Sequence, residues 1–204
     1  MHVLLLNGSP RPHGNTSIAL GEMVKTFQAE GVETEVVQVG NLPVRGCIAC
    51  GGCSKAGKCV FGGSVNDFAE KAKDADGFVF GTPVHYAAAS GNMTSFLDRL
   101  FYSQGRKLAG KPAAVVVSAR RGGTTAAYEQ LLKYPGICQM PIISSCYWNM
   151  VHGNTPDEVR HDLEGMQVMR TLGRNMAWLL KCMEAGRQAG VPQPEPEAPL
   201  RTNF

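Results

Sequence analysis

The residues that decide the fold lie at positions 2–17 and read HVLLLNGSPRPHGNTS. The first five form a short, mostly apolar run, which ends in glycine, proline and hydrogen-bond donors. This order predicts a buried parallel strand that stops where a loop begins. Asn15, Thr16 or Ser17 is then predicted to cap a helix whose apolar side chains recur at Leu20, Met23, Val24 and Phe27. Strand, loop and helix together predict the first unit of an α/β protein.

The alternation of strand and helix continues along the rest of the chain. Four more strands are predicted at 32–39, 77–81, 112–118 and 141–145. Helices are predicted at 65–74, around 93–101, at 124–134 before Pro135, and as one long closing helix from Pro156. Five strands that alternate with helices predict a doubly wound, five-stranded parallel sheet.

Composition and charge limit the class of protein. A chain of 204 residues, 44% of them hydrophobic, can bury one substantial core, so we expect a single domain at 1–190. The proline-rich tail at 191–204 is expected to be extended and held by a neighbouring subunit. The chain has neither a long apolar run nor a signal-peptide pattern, so we expect no membrane span and a cytoplasmic location. A net charge of +3 without a basic block argues against nucleic-acid binding.

A ligand site is expected where the strands end, because doubly wound sheets bind ligands at the carboxyl ends of their strands. Three loops should meet there, at 7–17, 82–91 and 118–124. The first is rich in hydroxyl and amide donors at a helix N-terminus, which is typical of a phosphate site, although a polar turn without a ligand is an alternative. It lacks the P-loop and dinucleotide-binding patterns, and the cysteine of a cysteine-dependent phosphatase. The three loops together predict a site for a mononucleotide with a flat ring.

The motifs on these loops resemble those of a known family. Residues 7–11 (NGSPR), 14–16 (GNT), 81–86 (GTPVHY) and 91–99 (GNMTSFLDR) resemble the flavodoxin-like, NAD(P)H-dependent FMN reductase superfamily over about residues 1–150. The resemblance implies an FMN-dependent oxidoreductase with a flavodoxin-like fold, for which NAD(P)H is a possible co-substrate. No side chain is predicted to act as an acid–base catalyst, because the flavin supplies the chemistry.

The resemblance also implies roles for individual residues. The FMN phosphate would be held by Ser9, Arg11, Asn15, Thr16 and Ser17. The isoalloxazine ring would lie along Pro83, Val84, His85 and Tyr86, and its polar edge would contact Ser118, Arg120, Arg121, Gly122 and Gly123.

A cysteine-rich loop at 40–64 is predicted as an insertion after the second strand. Its four cysteines follow the pattern Cys47-x2-Cys50-x2-Cys53-x5-Cys59. Four closely spaced thiols in one glycine-rich loop are the ligands that a 4Fe-4S cluster needs. Structural zinc, and free thiols or disulfides, are the alternatives that the pattern leaves open. The other three cysteines, Cys138, Cys146 and Cys182, are predicted to be buried apolar residues.

This cysteine pattern within this fold resembles the iron–sulfur flavoproteins of anaerobic archaea and bacteria. That resemblance implies electron transfer between a 4Fe-4S cluster and FMN, in a homodimer or homotetramer, with small-molecule or protein electron donors and acceptors. One departure from it is that Asn66 precedes Asp67 where paired acids are common. The alternatives are a cluster-free NAD(P)H-dependent FMN or quinone reductase, and a non-enzymatic flavin- or zinc-binding regulatory protein. The segment 147–153 could line the flavin, cover a partner's site, or serve only for packing.

Overall fold

A parallel sheet with helices on both faces forms the body of the molecule. The computed structural model describes residues 1–195, 197, 198, 200 and 202. The strands are β1 (His2–Asn7), β2 (Glu33–Gln38), β3 (Gly77–His85), β4 (Ala88–Ala89), β5 (Ala113–Ala119) and β6 (Met150–His152). The helices are α1 (Asn15–Ala29), α2 (Gly52–Ala56), α3 (Ser64–Asp74), α4 (Gly91–Gln104), α5 (Thr124–Ile137), α6 (Pro156–His161) and α7 (Leu163–Gln188), with a 3-10 helix at Gly105–Leu108.

The order of the strands identifies the topology. The main path of the sheet runs β2-β1-β3-β5-β6 with parallel neighbours, and β4 pairs antiparallel to the end of β3. Without β4, this is the strand order of the flavodoxin type of doubly wound sheet. The predicted α/β class and a parallel sheet with five strands in its main path are therefore confirmed. The order reverses between β1 and β3, so a ligand crevice is expected between the loops that follow these two strands.

Both faces of the sheet are buried, which explains the continuous apolar runs of the central strands. In β3, Phe78 and Phe80 face α3, α4 and α5, where Phe96 packs in the same cluster. Val79 faces the opposite side, where α1 and α7 contribute Met23 and other apolar side chains. The two helix layers thus hold the strand ends in fixed positions from both sides.

The prediction of a fifth strand at 141–145 is wrong. Ile143 does donate a backbone hydrogen bond to Ala113 O at the start of β5 (2.9 Å), but the chain then leaves the sheet. It returns at Asn149, whose carbonyl accepts from Val117 N (3.0 Å), and the strand proper is β6. Asn149 is fully buried, and its side-chain oxygen accepts a hydrogen bond from Ser145 Oγ (2.7 Å). The segment between Ile143 and Asn149 is thus stabilised by a local polar contact, which the hydrophobic pattern of the sequence does not indicate.

Two helix boundaries also differ from the predictions. Pro135 lies inside α5, in its last turn. Proline has no N–H to donate to the carbonyl four residues earlier, and the helix ends two residues later, at Ile137. The long closing helix is divided into α6 and α7 at Asp162, whose backbone is not helical. The Asp162 carboxylate accepts hydrogen bonds from His152 N (2.7 Å) and Gly165 N (3.0 Å), which ties the break to the end of β6.

Three smaller observations complete the fold. Cys146 and Cys182 are exposed and Cys138 is only partly buried, so the prediction that all three are buried is wrong for the first two. Within the described part of the chain, no helix is both long and apolar enough to cross a membrane. Residues 191–195 form neither helix nor strand and are exposed. The rest of the predicted tail includes Pro196, Pro199, Arg201, Asn203 and Phe204, which lie outside the described residues; its attachment to a neighbouring subunit stays a prediction.

Candidate functional site

The loops after β1 and β3 are joined directly at the carboxyl edge of the sheet. Gly8 N donates a hydrogen bond to Gly81 O (2.8 Å), and Ser90 Oγ donates to Gly8 O (2.7 Å). Gly40, after β2, packs against the same loop, because a Cβ built on it would lie 2.2 Å from the Ser9 carbonyl. The edge is therefore a close-packed platform, as the three-loop prediction requires.

The loop before α1 leaves a helix N-terminus without a side-chain cap. Asn15, Thr16 and Ser17 were the predicted caps, but the capping position is Gly14, whose flexible backbone offers no side-chain acceptor. The first turn of α1 has no acidic residue, and Arg11 in the preceding loop is exposed. The first N–H groups of a helix lack intrahelical partners and carry partial positive charge, so this end of α1 suits an anion such as a phosphate.

The polar side chains predicted at the phosphate have partners within the protein. Asn15 Nδ2 donates to Gly153 O (2.6 Å), and Ser17 Oγ donates to Gly14 O (2.7 Å). The hydroxyls of Thr16 and Ser118 share a buried hydrogen bond of 2.8 Å. Buried Ser9 accepts at its Oγ from Arg11 N (3.1 Å), so it shapes the loop. These contacts place all five predicted phosphate residues at the edge and give most of them a part in its construction.

The loop after β3 is a tight turn with an exposed aromatic ring. β3 continues to His85, which pairs with Ala88 of β4, so Tyr86 and Ala87 form a two-residue turn. Both have positive φ, 49° and 60°, a conformation that costs a non-glycine residue about 1–2 kcal/mol. Tyr86 is fully exposed and His85 is exposed, whereas Pro83 and Val84 are partly buried. Strain of this kind at an exposed ring is typical of ligand-binding positions.

The loop after β5 contacts this turn. Gly123 has a φ of 93°, and a Cβ at this position would lie 2.6 Å from Ala87 Cα. Arg120, Arg121 and Gly122, which precede it in the chain, are exposed. The structure thus brings all three predicted loops together.

The four cysteines of the loop at 40–64 face one pocket beside α4. Cys47 and Cys50 are exposed, whereas Cys53 and Cys59 are partly buried. The pocket wall is mainly apolar and is completed by Ile48, Val60, Phe61, Arg99 and Tyr102. The four predicted ligands therefore line the same pocket, and none of the other three cysteines does.

Side chains from two helices hold this loop in place. Asn66 of α3 binds the Cys59 backbone twice, accepting from its N–H (3.2 Å) and donating to its carbonyl (2.9 Å). Gln104 of α4 donates to Gly57 O (2.7 Å). Asn92, at the start of α4, donates to Gly40 O (2.7 Å) and Leu42 O (3.1 Å). The loop is therefore fixed at both of its ends and beside its last cysteine.

Arg99 reaches the pocket from the middle of α4. Its side chain is almost fully buried, with 6% exposure. Nε donates to Cys59 Sγ (3.2 Å) and Nη2 donates to Gly62 O (2.7 Å). Its guanidinium also lies 5.8 Å from the centre of the Phe61 ring. A cation is therefore placed against one of the four thiols.

The thiols surround the pocket and do not converge on one point. Across the described residues, no three His, Cys, Asp or Glu side chains are close enough together to hold one metal ion. A tetrahedral zinc ion with Zn–S bonds of about 2.3 Å needs such convergence. A cubane cluster has a different requirement, since each of its thiolates binds a different iron and the four lie around the cluster.

Sequence reasoning missed the residues that hold the cysteine loop. Asn92 and Arg99 belong to the motif at 91–99 without a predicted role, Asn66 is only a departure from the paired acids of the family, and Gln104 belongs to no predicted motif. The one available signal was the excess of buried-face polar residues on α4, where Arg99 and Gln104 interrupt the apolar positions. Their partners lie 40 and 47 residues away, so no local pattern could identify them.

The sequence of this chain matches a known protein family. A family model described as NADPH-dependent FMN reductase matches residues 1–155. The chain belongs to the NADPH-dependent FMN reductase family. It is thus an FMN-dependent oxidoreductase of the flavodoxin-like superfamily, as the loop motifs predicted.

Several curated relatives of this FMN reductase family member are named iron–sulfur flavoprotein. One from Methanocaldococcus jannaschii is 28% identical over 194 residues, covering 90% of this chain and 100% of the relative. Another, from Archaeoglobus fulgidus, is 30% identical and covers 74% of this chain and 70% of the relative.

Solved structures confirm the fold. The structure of RosB superposes with a TM-score of 0.72 at 18% identity, covering 100% of this chain and 91% of that one. An NAD(P)H:quinone oxidoreductase from Methanothermobacter marburgensis gives a TM-score of 0.64 at 17% identity, covering 86% of this chain and 96% of that one. At these identities the similarity establishes the flavodoxin-like architecture.

Proposed function

We propose that this FMN-dependent oxidoreductase is an iron–sulfur flavoprotein that passes electrons between a 4Fe-4S cluster and FMN. The observation that carries the proposal is the pocket beside α4, which Cys47, Cys50, Cys53 and Cys59 all line. The names of the curated relatives support it. When bound, FMN supplies hydride and electron transfer and the cluster supplies one-electron transfer.

The carboxyl edge of the sheet would bind the FMN. The N–H groups at the start of α1 and the exposed Arg11 would hold the phosphate, since no side chain caps this helix. Tyr86 would lie along the flavin ring, and Arg120 and Arg121 are near enough in the chain to Gly123 to place positive charge at its polar edge. The predicted residues with internal partners, such as Thr16 and Ser118, would keep these groups in position.

The cysteine pocket would bind the cluster through four thiolates. Its apolar wall, formed in part by Ile48 and Val60, would limit the access of water. Asn66 fixes the backbone of Cys59, the ligand that lies furthest along the chain from the other three. Groups that hydrogen-bond to metal ligands orient those ligands and help to retain the metal.

Helix α4 connects the two sites. Its capping residue Ser90 bonds to Gly8 of the flavin edge, and Arg99 of the same helix contacts Cys59. Nine residues of α-helix rise about 14 Å along the axis. The two proposed sites are therefore placed on one rigid element of the fold.

A second candidate function is a cluster-free reductase in which NAD(P)H delivers hydride directly to FMN. It is favoured by the family, whose description is NADPH-dependent FMN reductase. In this case the four cysteines would remain free thiols. A non-enzymatic regulatory protein that binds flavin or zinc is a third candidate, and it would show no turnover with any acceptor. For all three we propose a cytoplasmic homodimer or homotetramer.

The proposal is tested by purifying the full chain without oxygen and recording its absorption spectrum with assays for iron, zinc and acid-labile sulfide. We expect flavin bands, a broad shoulder at about 400 nm, and about four irons and four sulfides per chain. Cys59→Ser should lose most of the iron, whereas Cys182→Ser, an exposed cysteine on α7, should retain it. Flavin without iron in every preparation would refute the cluster and leave the simple reductase. Zinc in place of iron would support a structural zinc site.

A further inference from the structure

Arg99 carries a buried positive charge that no carboxylate of the described residues pairs with. Its side chain is 6% exposed. None of the ion pairs formed by the described residues includes it. Its two hydrogen-bond acceptors are Cys59 Sγ at 3.2 Å and Gly62 O at 2.7 Å. A buried charge without an ionic partner is costly, and a negative group in the pocket that Arg99 faces would offset this cost.

The pocket can supply that negative group only through its sulfur atoms, because its wall holds no Asp or Glu. A cluster ligated by four thiolates is negatively charged, and it becomes more so on reduction. We propose that Arg99 is a positioning residue for Cys59 that also sets the reduction potential of the cluster. This inference rests on the proposed function, since it requires that the pocket hold a cluster.

The physical basis is a charge-assisted hydrogen bond to a ligand sulfur. Hydrogen bonds to the sulfurs and the local net charge are two of the factors that set the reduction potential of an iron–sulfur cluster. The guanidinium stabilises the reduced, more negative state more than the oxidised state. Its second bond, to Gly62 O, fixes the direction of Nε toward Cys59. The arginine therefore raises the potential, and its removal should lower it.

The test is a redox titration of the cluster in the FMN-loaded full chain, purified without oxygen, for the wild type and three variants. Arg99→Met removes the charge and both hydrogen bonds. Arg99→Lys keeps the charge but cannot make both bonds in the same geometry. Lys107→Met is the matched control, because the exposed Lys107 ammonium donates to Gly57 O of the same loop (3.4 Å) and Lys107 is not among the residues that line the cysteine pocket.

We expect Arg99→Met to lower the ratio of reduced to oxidised cluster about tenfold at a fixed ambient potential, which is about 59 mV for a one-electron couple. Arg99→Lys should fall between Arg99→Met and the wild type. Lys107→Met should match the wild type, since exposed charges are screened. If Arg99→Met fails to retain the cluster, Arg99→Lys decides, and a wild-type potential in that variant overturns the inference.

Two further outcomes separate this inference from the proposed function. A cluster with unchanged potential in Arg99→Met, or an equal shift in Lys107→Met, overturns the role of Arg99 and leaves the iron–sulfur flavoprotein intact. Wild-type protein that holds flavin but never iron overturns the proposed function, and the inference with it. Flavin absorbance in each variant verifies that the sheet edge is folded, because the flavin loops do not include α4 residue 99.

Discussion

Gly40→Ala is expected to distort the loops of the proposed FMN site through a single added methyl group. Gly40 is buried after β2, and a Cβ there would lie 2.2 Å from both the carbonyl carbon and oxygen of Ser9 and 2.3 Å from Gly8 C. All three atoms belong to the backbone, so no side-chain rotation relieves the overlap. Gly40 itself is held by hydrogen bonds to Asn7 O (3.0 Å) and from Asn92 Nδ2 (2.7 Å). One of the two segments must therefore move by about 1 Å to reach ordinary contact.

The expected loss in free energy of unfolding follows from this overlap. Overpacking usually costs about 1–3 kcal/mol, and a clash between backbone segments belongs at the upper end. A loss of about 3 kcal/mol corresponds to a fall in Tm of about 6–12 °C for a chain of this size. A shift of about 1 Å in the loop before α1 also misaligns the donors for a phosphate. We therefore expect FMN to bind at least about tenfold more weakly.

Differential scanning fluorimetry of the flavin-free chain gives the Tm, and quenching of flavin fluorescence on titration gives the Kd for FMN. The matched control is Gly21→Ala in α1, where nothing lies within 4 Å of the new Cβ. This variant should be more stable by about 0.5–1 kcal/mol, because alanine favours a helix over glycine. A Gly40→Ala protein with wild-type Tm and wild-type Kd would refute the close packing of these loops.

Three other changes have defined outcomes. Tyr86→Gly should raise the Tm of the flavin-free chain by about 2 °C, because it relieves a positive φ without losing buried area, and it should weaken FMN binding; a lower Tm would contradict the strained turn. Asn66→Ala should speed the release of iron to a chelator about tenfold without changing the Kd for FMN, because both bonds to the Cys59 backbone are lost; wild-type release would contradict this role. Burial and the hydrogen bond to Asp98 raise the pKa of Tyr134, so the unfolded chain loses this phenol proton first and stability falls as the pH rises above about 10. Tyr134→Phe should therefore be less stable than the wild type at pH 7 by about 1 kcal/mol, and urea denaturation should show this difference shrinking above pH 10.

The central part of the fold was predictable because its strands are buried on both faces. In runs such as Val3 to Leu6 and in the apolar face of α1, the pattern of apolar residues in the sequence matches the residues that are buried. The edge strand was not predictable in the same way, since the pair Ile142 and Ile143 meets β5 only briefly before the chain leaves the sheet. What then holds the excursion is Asn149, a buried amide whose partners are set by tertiary structure. The same holds for Asp162, which divides the last helix by bonding to β6.

The meeting of the three loops was predictable from the sequence, but the hydrogen-bond partners of their side chains were not. A strand followed by a polar loop and a helix fixes where a phosphate can bind, whatever each side chain does. Which hydroxyls face the ligand depends on neighbours from other strands: Thr16 is engaged by Ser118, which lies 102 residues away in the chain. The turn at Tyr86 is similar, because nothing local indicates that a tyrosine and an alanine will both take positive φ.

Helix α4 contacts both the cysteine pocket and the proposed FMN site. Helix α4 places the buried guanidinium of Arg99 against Cys59, and Arg99 forms no ion pair with a carboxylate that the structure describes. The same helix begins at Ser90, whose hydroxyl holds Gly8 at the flavin edge. A helix is stiff over this length, so a group bound in the pocket keeps a fixed distance from the flavin. The electron transfer that we propose between a cluster and FMN would depend on such a constant separation.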